Sequence, residues 1–201
     1  MIQARQGSKR YPNKILKARV GGKLLLQEIK ERLKRCDIDD IIVALPTSDT
    51  KLMELCSNLN LGYFNLNSIS ENDVFGRFVA TADFCELEDK DWILRICGDA
   101  PFIEPMFVNQ CIYVTHDMAY SGKFGAVACL KYPFGQQVEL FRVGTLRKIY
   151  KKIKNNKKFA YVREHIDPIL KWKSVNTLFM NPLRLSIDTK ADEEILNNFI
   201  K

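Results

Sequence analysis

The sequence predicts an α/β fold: a mainly parallel sheet flanked by helices, with a small antiparallel flap in the second half. Three observations carry this expectation. Over the first two thirds, short apolar runs alternate with helical patterns of about ten residues, the signature of strand–helix–strand units. One of these runs, Ile41-Ile42-Val43-Ala44-Leu45, is β-branched and apolar, as a strand buried beneath helices on both faces should be. Later, 125–130 and 137–141 read as two strands joined by Tyr132-Pro133-Phe134-Gly135, a turn-rich connection.

The elements follow in order. Residues 24–33 carry apolar side chains at 24, 25, 26, 29 and 33, a one-sided helix. The strand 41–45 is closed by Pro46. Ser48-Asp49 begins a helix over 50–59, and 63–66 reads as the next strand. Asp73 opens a helix to about residue 85, followed by a strand over 92–96 and a helix from Pro105. Two helices, 143–155 and 161–171, a short strand at 184–187 and a terminal helix from Lys190 complete the chain. Only Met1 to Ala4 precede the first loop, so the first strand is short for a central one: either the true start lies upstream or the strand has been trimmed.

Composition bounds the function. With 201 residues, 46% hydrophobic and 27% charged, the chain suits one globular domain. No apolar run is long enough to cross a bilayer, and Arg5, Gln6, Ser8, Lys9 and Arg10 come too early for a secretory leader, which makes cytoplasmic the expectation. The six cysteines (36, 56, 85, 97, 111, 129) form no CxxC pair and read as buried thiols, and with only His116 and His165 a Cys/His metal site is not expected. The net charge of +7 invites a nucleic-acid partner, yet Lys148, Lys151, Lys152, Lys154, Lys157 and Lys158 supply much of it within 147–158. A solvated helix face is the favoured reading of that run, since no aromatics interleave with it; neither nucleic acid nor membrane is expected as a partner.

Open parallel sheets bind ligands beyond the carboxyl ends of their strands, so the chemistry is sought in the loops there. The first loop, Ala4-Arg5-Gln6-Gly7-Ser8-Lys9-Arg10-Tyr11-Pro12-Asn13-Lys14, carries four cations with a glycine and a serine. That suits a phosphate, although a surface turn accounts for it equally. In Leu94-Arg95-Ile96-Cys97-Gly98-Asp99-Ala100-Pro101 a strand ends on Asp99, which could hold a hard cation such as Mg²⁺ or serve as a turn cap. Asp188, in Arg184-Leu185-Ser186-Ile187-Asp188-Thr189, repeats the arrangement and could equally be the N-cap of the last helix. Two strand-end acids with one basic glycine loop form a set with both metal ligands and phosphate donors.

These segments also resemble a known family. Ala4-Arg5-x-Gly7-Ser8-x-Arg10-x-Pro12-x-Lys14, Gly22-Lys23-x-Leu25, Asn72-Asp73-Val74-Phe75-Gly76-Arg77-Phe78, Arg95-Ile96-x-Gly98-Asp99-x-Pro101, Arg163-Glu164-His165-Ile166-x-Pro168 and Arg184-Leu185-x-Ile187-Asp188-Thr189 look like the cytidylyltransferases. That group includes the CMP-sialic acid and CMP-Kdo synthetases, and the match is strongest to the type of the spore-coat polysaccharide biosynthesis protein F. The motifs keep the family's order over nearly the whole chain.

The resemblance implies a Rossmann-like nucleotidyltransferase sheet in a single domain, 1–201, with a nucleotide-binding core at 1–122 and an acceptor and dimerisation flap with C-terminal helices at 123–201. It implies that Arg5, Ser8 and Lys14 grip the triphosphate of CTP beside Gly7, with Arg10 assisting and Arg77 near the nucleotide, and that Lys14, Arg5 and Asp99 carry catalysis. Asp99 and Asp188 would hold Mg²⁺ while CMP passes to a sugar acid or related acceptor, releasing pyrophosphate, for surface glycan or glycoprotein synthesis. A homodimer is implied as well.

For the acceptor the resemblance points to Gln137, Glu139, Arg163 and His165, with a helix-surface or packing histidine as the alternative for His165. The family stretch Pro-Asp-Gly-x-Asp-Val-Glu here reads Pro133-Phe134-Gly135-Gln136-Gln137-Val138-Glu139. Phe134 and Gln137 replace two acids, which implies a different acceptor. The competing readings are transfer to a phosphorylated acceptor giving a CDP-linked product, and a nucleotide-binding relic or partner subunit.

Overall fold

A computed structural model describes residues 1–46, 49–65, 68–119, 126–129, 135–166, 172–174 and 185–200. In chain order these form β1 (Ile2–Gln3), α1 (Lys14–Lys17), β2 (Arg19–Val20), β3 (Lys23–Leu24), α2 (Leu25–Leu33), β4 (Ile42–Leu45), α3 (Thr50–Asn58) and β5 (Gly62–Asn65). There follow α4 (Val74–Phe84), β6 (Trp92–Cys97), α5 (Pro105–Ala119), β7 (Ala126–Cys129), β8 (Val138–Arg142), α6 (Val143–Ile153), a 3₁₀ turn (Lys157–Phe159), α7 (Ala160–His165), β9 (Trp172–Ser174) and α8 (Lys190–Ile200).

Among the described residues, seven strands make one sheet in the order β5-β4-β1-β6-β8-β7-β9. β5, β4, β1 and β6 run parallel, so their carboxyl ends share one edge. The short β1 is central: Ile2 lies between Val43 and Ile96, and Gln3 between Ala44 and Cys97. β8 pairs antiparallel with β6 and β7 with β8, so the antiparallel part expected of the second half extends this sheet at its edge. Because β8 runs the other way, its amino end, next to Gln137, reaches the edge where the parallel strands end. The hairpin β2–β3, not anticipated from the sequence, forms a separate antiparallel pair.

Strand periodicity sorts the core into two layers. Val43 and Leu45, Leu94 and Ile96, and Val138 and Leu140 face one side, where Leu26 and Ile29 of α2, Leu52 and Cys56 of α3, Val108 and Cys111 of α5 and Leu196 of α8 cover them. Ala44, Ile93 and Phe141 face the other, under Phe75 and Phe78 of α4 and Leu146 and Ile153 of α6. The helices thus flank both faces, as the sequence predicts.

The ends of the elements follow local chemistry, with one departure. Asp73 caps α4 as expected, its Oδ1 accepting the Gly76 N–H at 2.8 Å. The segment 185–188 belongs to no ladder; where a strand is expected, with residue 184 outside the described residues, the chain is tied by Ile187 N–H to the Asp99 carbonyl at 2.9 Å. Residues 167–171 of the expected second late helix, and 132–134 of the connection expected over 132–135, also lie outside the described residues.

Phe78 is fully buried in the layer between α4 and the sheet. Phe78→Ala is expected to cost about 3–5 kcal/mol of unfolding free energy, read from urea denaturation.

Candidate active site

The site begins where β1 ends. Gly98 N–H donates to the Gln3 carbonyl at 2.8 Å, which ties the turn after β6 to the loop after β1. A Cβ on Gly98 would stand 3.1 Å from that carbonyl oxygen and 3.0 Å from Ile15 Cδ1, so this approach requires glycine or a shift of its neighbours. The contact sets Asp99 beside the short helix α1, whose first residue is Lys14.

Lys14 is buried, 9% exposed, and its ammonium donates to Asp99 Oδ2 at 2.6 Å, Ile187 O at 2.8 Å and Asp188 Oδ1 at 3.4 Å. Arg10 Nη2 reaches the same Asp188 oxygen at 2.8 Å. The two acids singled out in the sequence therefore converge on one cation.

Asp188 is not the cap of the last helix. Thr189 and Asp192 form a reciprocal box: Asp192 N–H donates to Thr189 Oγ1 at 3.2 Å, and Asp192 Oδ2 accepts the Thr189 N–H at 2.7 Å. That leaves the Asp188 carboxylate turned toward Lys14 and Arg10. Gly135 (φ +97°) packs on the preceding segment, where a Cβ would meet Leu185 C at 2.6 Å and Ser186 N at 2.7 Å. Further along α8, Glu193 accepts from the Tyr11 hydroxyl at 2.6 Å and the Arg19 N–H at 2.6 Å, which anchors the base of the first loop.

A cleft of about 660 Å³ opens above these residues, lined by Arg5, Gly7, Ser8, Lys9, Arg10 and Lys14 on one side. Glu71, Asn72, Asp99, Glu164 and Asp188 also line it, as does Cys97. Arg5 meets Asn72 Oδ1 at 3.3 Å and Glu71 Oε1 at 3.9 Å. Ser8 Oγ accepts the Tyr11 N–H at 3.3 Å, shaping the loop. Asp49 starts α3 as expected, its carbonyl accepting the Leu52 and Met53 N–H groups, while its carboxylate accepts the Gln6 N–H at 3.0 Å. Its carboxyl is raised above the usual range, first by burial and against the pull of that N–H. The described lining thus holds four cationic and four carboxylate side chains.

A second cleft of about 470 Å³ shares Arg10, Cys97, Asp99 and Asp188 with the first and adds Arg95, Gln137, Glu139, Tyr161 and Ser186. Arg95 and Glu139 stand opposite each other in the β6–β8 register and pair at 2.8 Å, while Arg95 also donates to Gln3 Oε1 at 2.9 and 3.1 Å. Two cavities meeting at two carboxylates suit two reactants brought together beside a cation.

The structure gathers Arg5, Gly7, Ser8, Arg10, Lys14, Asp99 and Asp188 around the first cleft and Gln137 and Glu139 around the second. Two residues expected at the site stand apart from both clefts. Arg77 lines neither cleft: it is 3% exposed, and its Nη1 donates to the carbonyls of Ser70 and Glu71. Its Nε and Nη2 meet no acceptor among the described residues, and burial, with repulsion from Arg5, lowers its pKa to about 10. It therefore supports the wall that carries Glu71 and Asn72. Arg163 also lines neither cleft; it donates to the carbonyls of Ile153 at 3.0 Å and Asn156 at 2.8 Å, closing the end of α6. The side chain of His165, and Phe134, lie outside the described residues.

Glu71, Glu164 and Arg95 were given no role from the sequence. Glu71 lies in the loop after β5, and the rule that ligands gather beyond strand carboxyl ends would have found it. Among the described residues, no cluster of three or more His, Cys, Asp or Glu side chains suits a metal, so a cation here would rely on Asp99 and Asp188 and on ligand oxygens. No helix among the described residues is long and apolar enough to cross a membrane.

A family model described as cytidylyltransferase matches residues 1–199. The chain is 32% identical to an uncharacterised protein of Methanocaldococcus jannaschii, over 96% of this chain and 78% of that one. It is 27% identical to the spore coat polysaccharide biosynthesis protein SpsF of Bacillus subtilis, over 96% and 82% of the two chains. It is 26% identical to a 3-deoxy-manno-octulosonate cytidylyltransferase of Idiomarina loihiensis over 73% of this chain, spanning 55% of that relative's length. A solved cytidylyltransferase from Leptospira borgpetersenii superposes with a TM-score of 0.80 at 25% identity, covering 99% of this chain and 84% of that one.

The box at Thr189 sets the direction of Asp188, so Thr189→Ala is expected to lower stability by about 1 kcal/mol, measured by chemical denaturation.

Proposed function

Since the chain belongs to the cytidylyltransferase family, a nucleotidyltransferase fold, we propose that it transfers CMP from CTP to a sugar acid or related acceptor, releasing pyrophosphate. The observation that carries this reading is the convergence of Lys14, Arg10, Asp99 and Asp188 between two adjoining clefts.

In this reading Arg5, Ser8, Lys9, Arg10 and Lys14 receive the triphosphate against the loop that includes Gly7. Phosphoryl-type transfer asks a protein mainly to position groups and to neutralise charge, and the inventory of Arg and Lys suits that. An acceptor oxygen held in the second cleft attacks the α-phosphorus in line, and pyrophosphate leaves toward the basic loop. Lys14, Arg5 and Asp99 are the catalytic residues. Gln137, Glu139 and His165 orient the acceptor in this reading; Glu139 is held by Arg95. Arg77 acts through the segment 70–72 rather than on the nucleotide.

Asp99 and Asp188 would hold a divalent cation, Mg²⁺ in this reading. Two carboxylates with phosphate oxygens and water fit its preference for hard oxygen ligands. When bound, it would neutralise charge on the phosphates. The reading includes a cytoplasmic homodimer of single-domain chains, a nucleotide core at 1–122 and an acceptor and dimerisation part at 123–201. Its partners are small molecules, with neither nucleic acid nor membrane among them. The kinship with SpsF supports surface glycan or glycoprotein synthesis as the setting.

Thermal unfolding with CTP, UTP, GTP and ATP, each with and without Mg²⁺, tests the donor. CTP at a hundred times its dissociation constant should stabilise the protein by about 2.7 kcal/mol. An equal or larger shift with another nucleotide would assign a different donor, and no shift with any would refute the reading. Asp99→Asn should abolish metal-dependent pyrophosphate release while the variant still folds, since an amide oxygen can accept from Lys14 and Asp188 still pairs with it; normal turnover in that variant would remove Asp99 from the site.

A further inference from the structure

The Lys14 ammonium has three N–H donors, and three oxygens accept from it: Asp99 Oδ2, Ile187 O and Asp188 Oδ1. None is left over for a phosphate. The proposed roles of this residue and of the two acids therefore conflict in the arrangement seen here. A lysine engaged with both carboxylates cannot also hold a triphosphate with its full set of donors. Those carboxylates, in turn, are already neutralised by a cation.

The geometry points to Lys14 as a resident counter-ion that occupies the two carboxylates until a triphosphate draws it away, so that nucleotide and divalent cation bind cooperatively. This rests on the reading of Asp99 and Asp188 as the metal carboxylates. Three features support it. The Lys14 side chain is only 11% exposed, so solvent screens its pairing weakly. A divalent cation on the same carboxylate oxygens would face the ammonium across a single atom, an unfavourable arrangement of like charges. Asp188 Oδ1 also receives Arg10, so two cations already share that oxygen.

The first cleft gives the exchange its direction. Its described lining balances four cations with four carboxylates, and Arg5, Arg10 and Lys14 each face an acid. A triphosphate offers these cations replacement oxygens with more negative charge. Each cation that moves to phosphate leaves a carboxylate behind, and two such carboxylates on Asp99 and Asp188 form a site for a dication. Linkage makes the coupling reciprocal: whatever the nucleotide gains from the metal, the metal gains from the nucleotide.

The inference predicts an unusual sign for one variant. Removing a phosphate-binding lysine should weaken nucleotide binding, yet the same substitution should strengthen binding of the metal alone. Mn²⁺ serves as the probe, its free concentration read by electron paramagnetic resonance with the full chain and no nucleotide. Lys14→Met should tighten Mn²⁺ binding by roughly tenfold or more over the unmodified protein. Lys14→Gln, whose amide can still donate to the Ile187 carbonyl, should change it in the same direction and replaces Lys14→Met if the latter unfolds. Adding Asp99→Asn to either variant should abolish the gain.

Equal Mn²⁺ affinity in the unmodified protein and both Lys14 variants, lost in Asp99→Asn, would overturn the counter-ion role while leaving the metal site intact. A gain in the Lys14 variants that survives Asp99→Asn would show that the metal sits elsewhere, and both the inference and the metal reading would fall.

Discussion

One buried ammonium holds together three parts of the chain that lie far apart in sequence. Lys14 belongs to the short helix after the first loop, Asp99 to the turn after β6, and Ile187 and Asp188 to the segment before α8. Removing either side of such a partly buried pair strands the other, which is why these three regions must fold as one unit. The supporting contacts serve that convergence. Gly98 lets the turn approach β1, Gly135 lets its loop press on Leu185 and Ser186, and the Thr189–Asp192 box fixes where the last helix begins. Glu193 then ties α8 back to Tyr11 within the same loop.

The distribution of charge shows what the site does with its cations. The chain carries a net charge of +7, yet the described lining of the first cleft is balanced. The excess is concentrated outside it, where Lys148, Lys151, Lys152, Lys154, Lys157 and Lys158 are all exposed on and after α6, with Leu146 and Ile153 buried on the opposite side. That is the solvated helix face the sequence suggests. On the proposed reading, the cleft receives a polyanion by the arrangement of its cations rather than by their surplus. Its carboxylates keep those cations apart and oriented in the absence of ligand, a form of preorganisation.

Much of this was legible in the sequence because it depends on local chemistry. The β-branched apolar run of β4, the apolar stripe of α2, and Asp73 before α4 each act within a few residues, and the structure follows them. The first loop and Asp99, read as strand-end positions, line one cleft, since parallel strands place such loops on one edge. What the sequence hid depends on packing across distance. Arg77 and Arg163 sit in motif-like stretches, but their side chains turn toward carbonyl groups behind the cleft, and nothing in a linear spacing fixes that direction. Asp49 begins α3 as expected, but its carboxylate holds the Gln6 amide from another loop, and the segment before Asp188 joins no ladder. Glu71 and Glu164 became site residues only when the loop after β5 and helix α7 were brought to the same edge.

The central claim is that the loop over residues 5–14 receives the triphosphate of CTP and that Lys14 moves with it. A crystal structure of the protein with CTP tests this most directly. The account predicts the triphosphate against Arg5, Ser8 and Arg10, with Lys14 Nζ on a phosphate oxygen and no longer bridging Asp99 and Asp188. A nucleotide bound away from this loop, or bound there with Lys14 still holding both carboxylates, would contradict it.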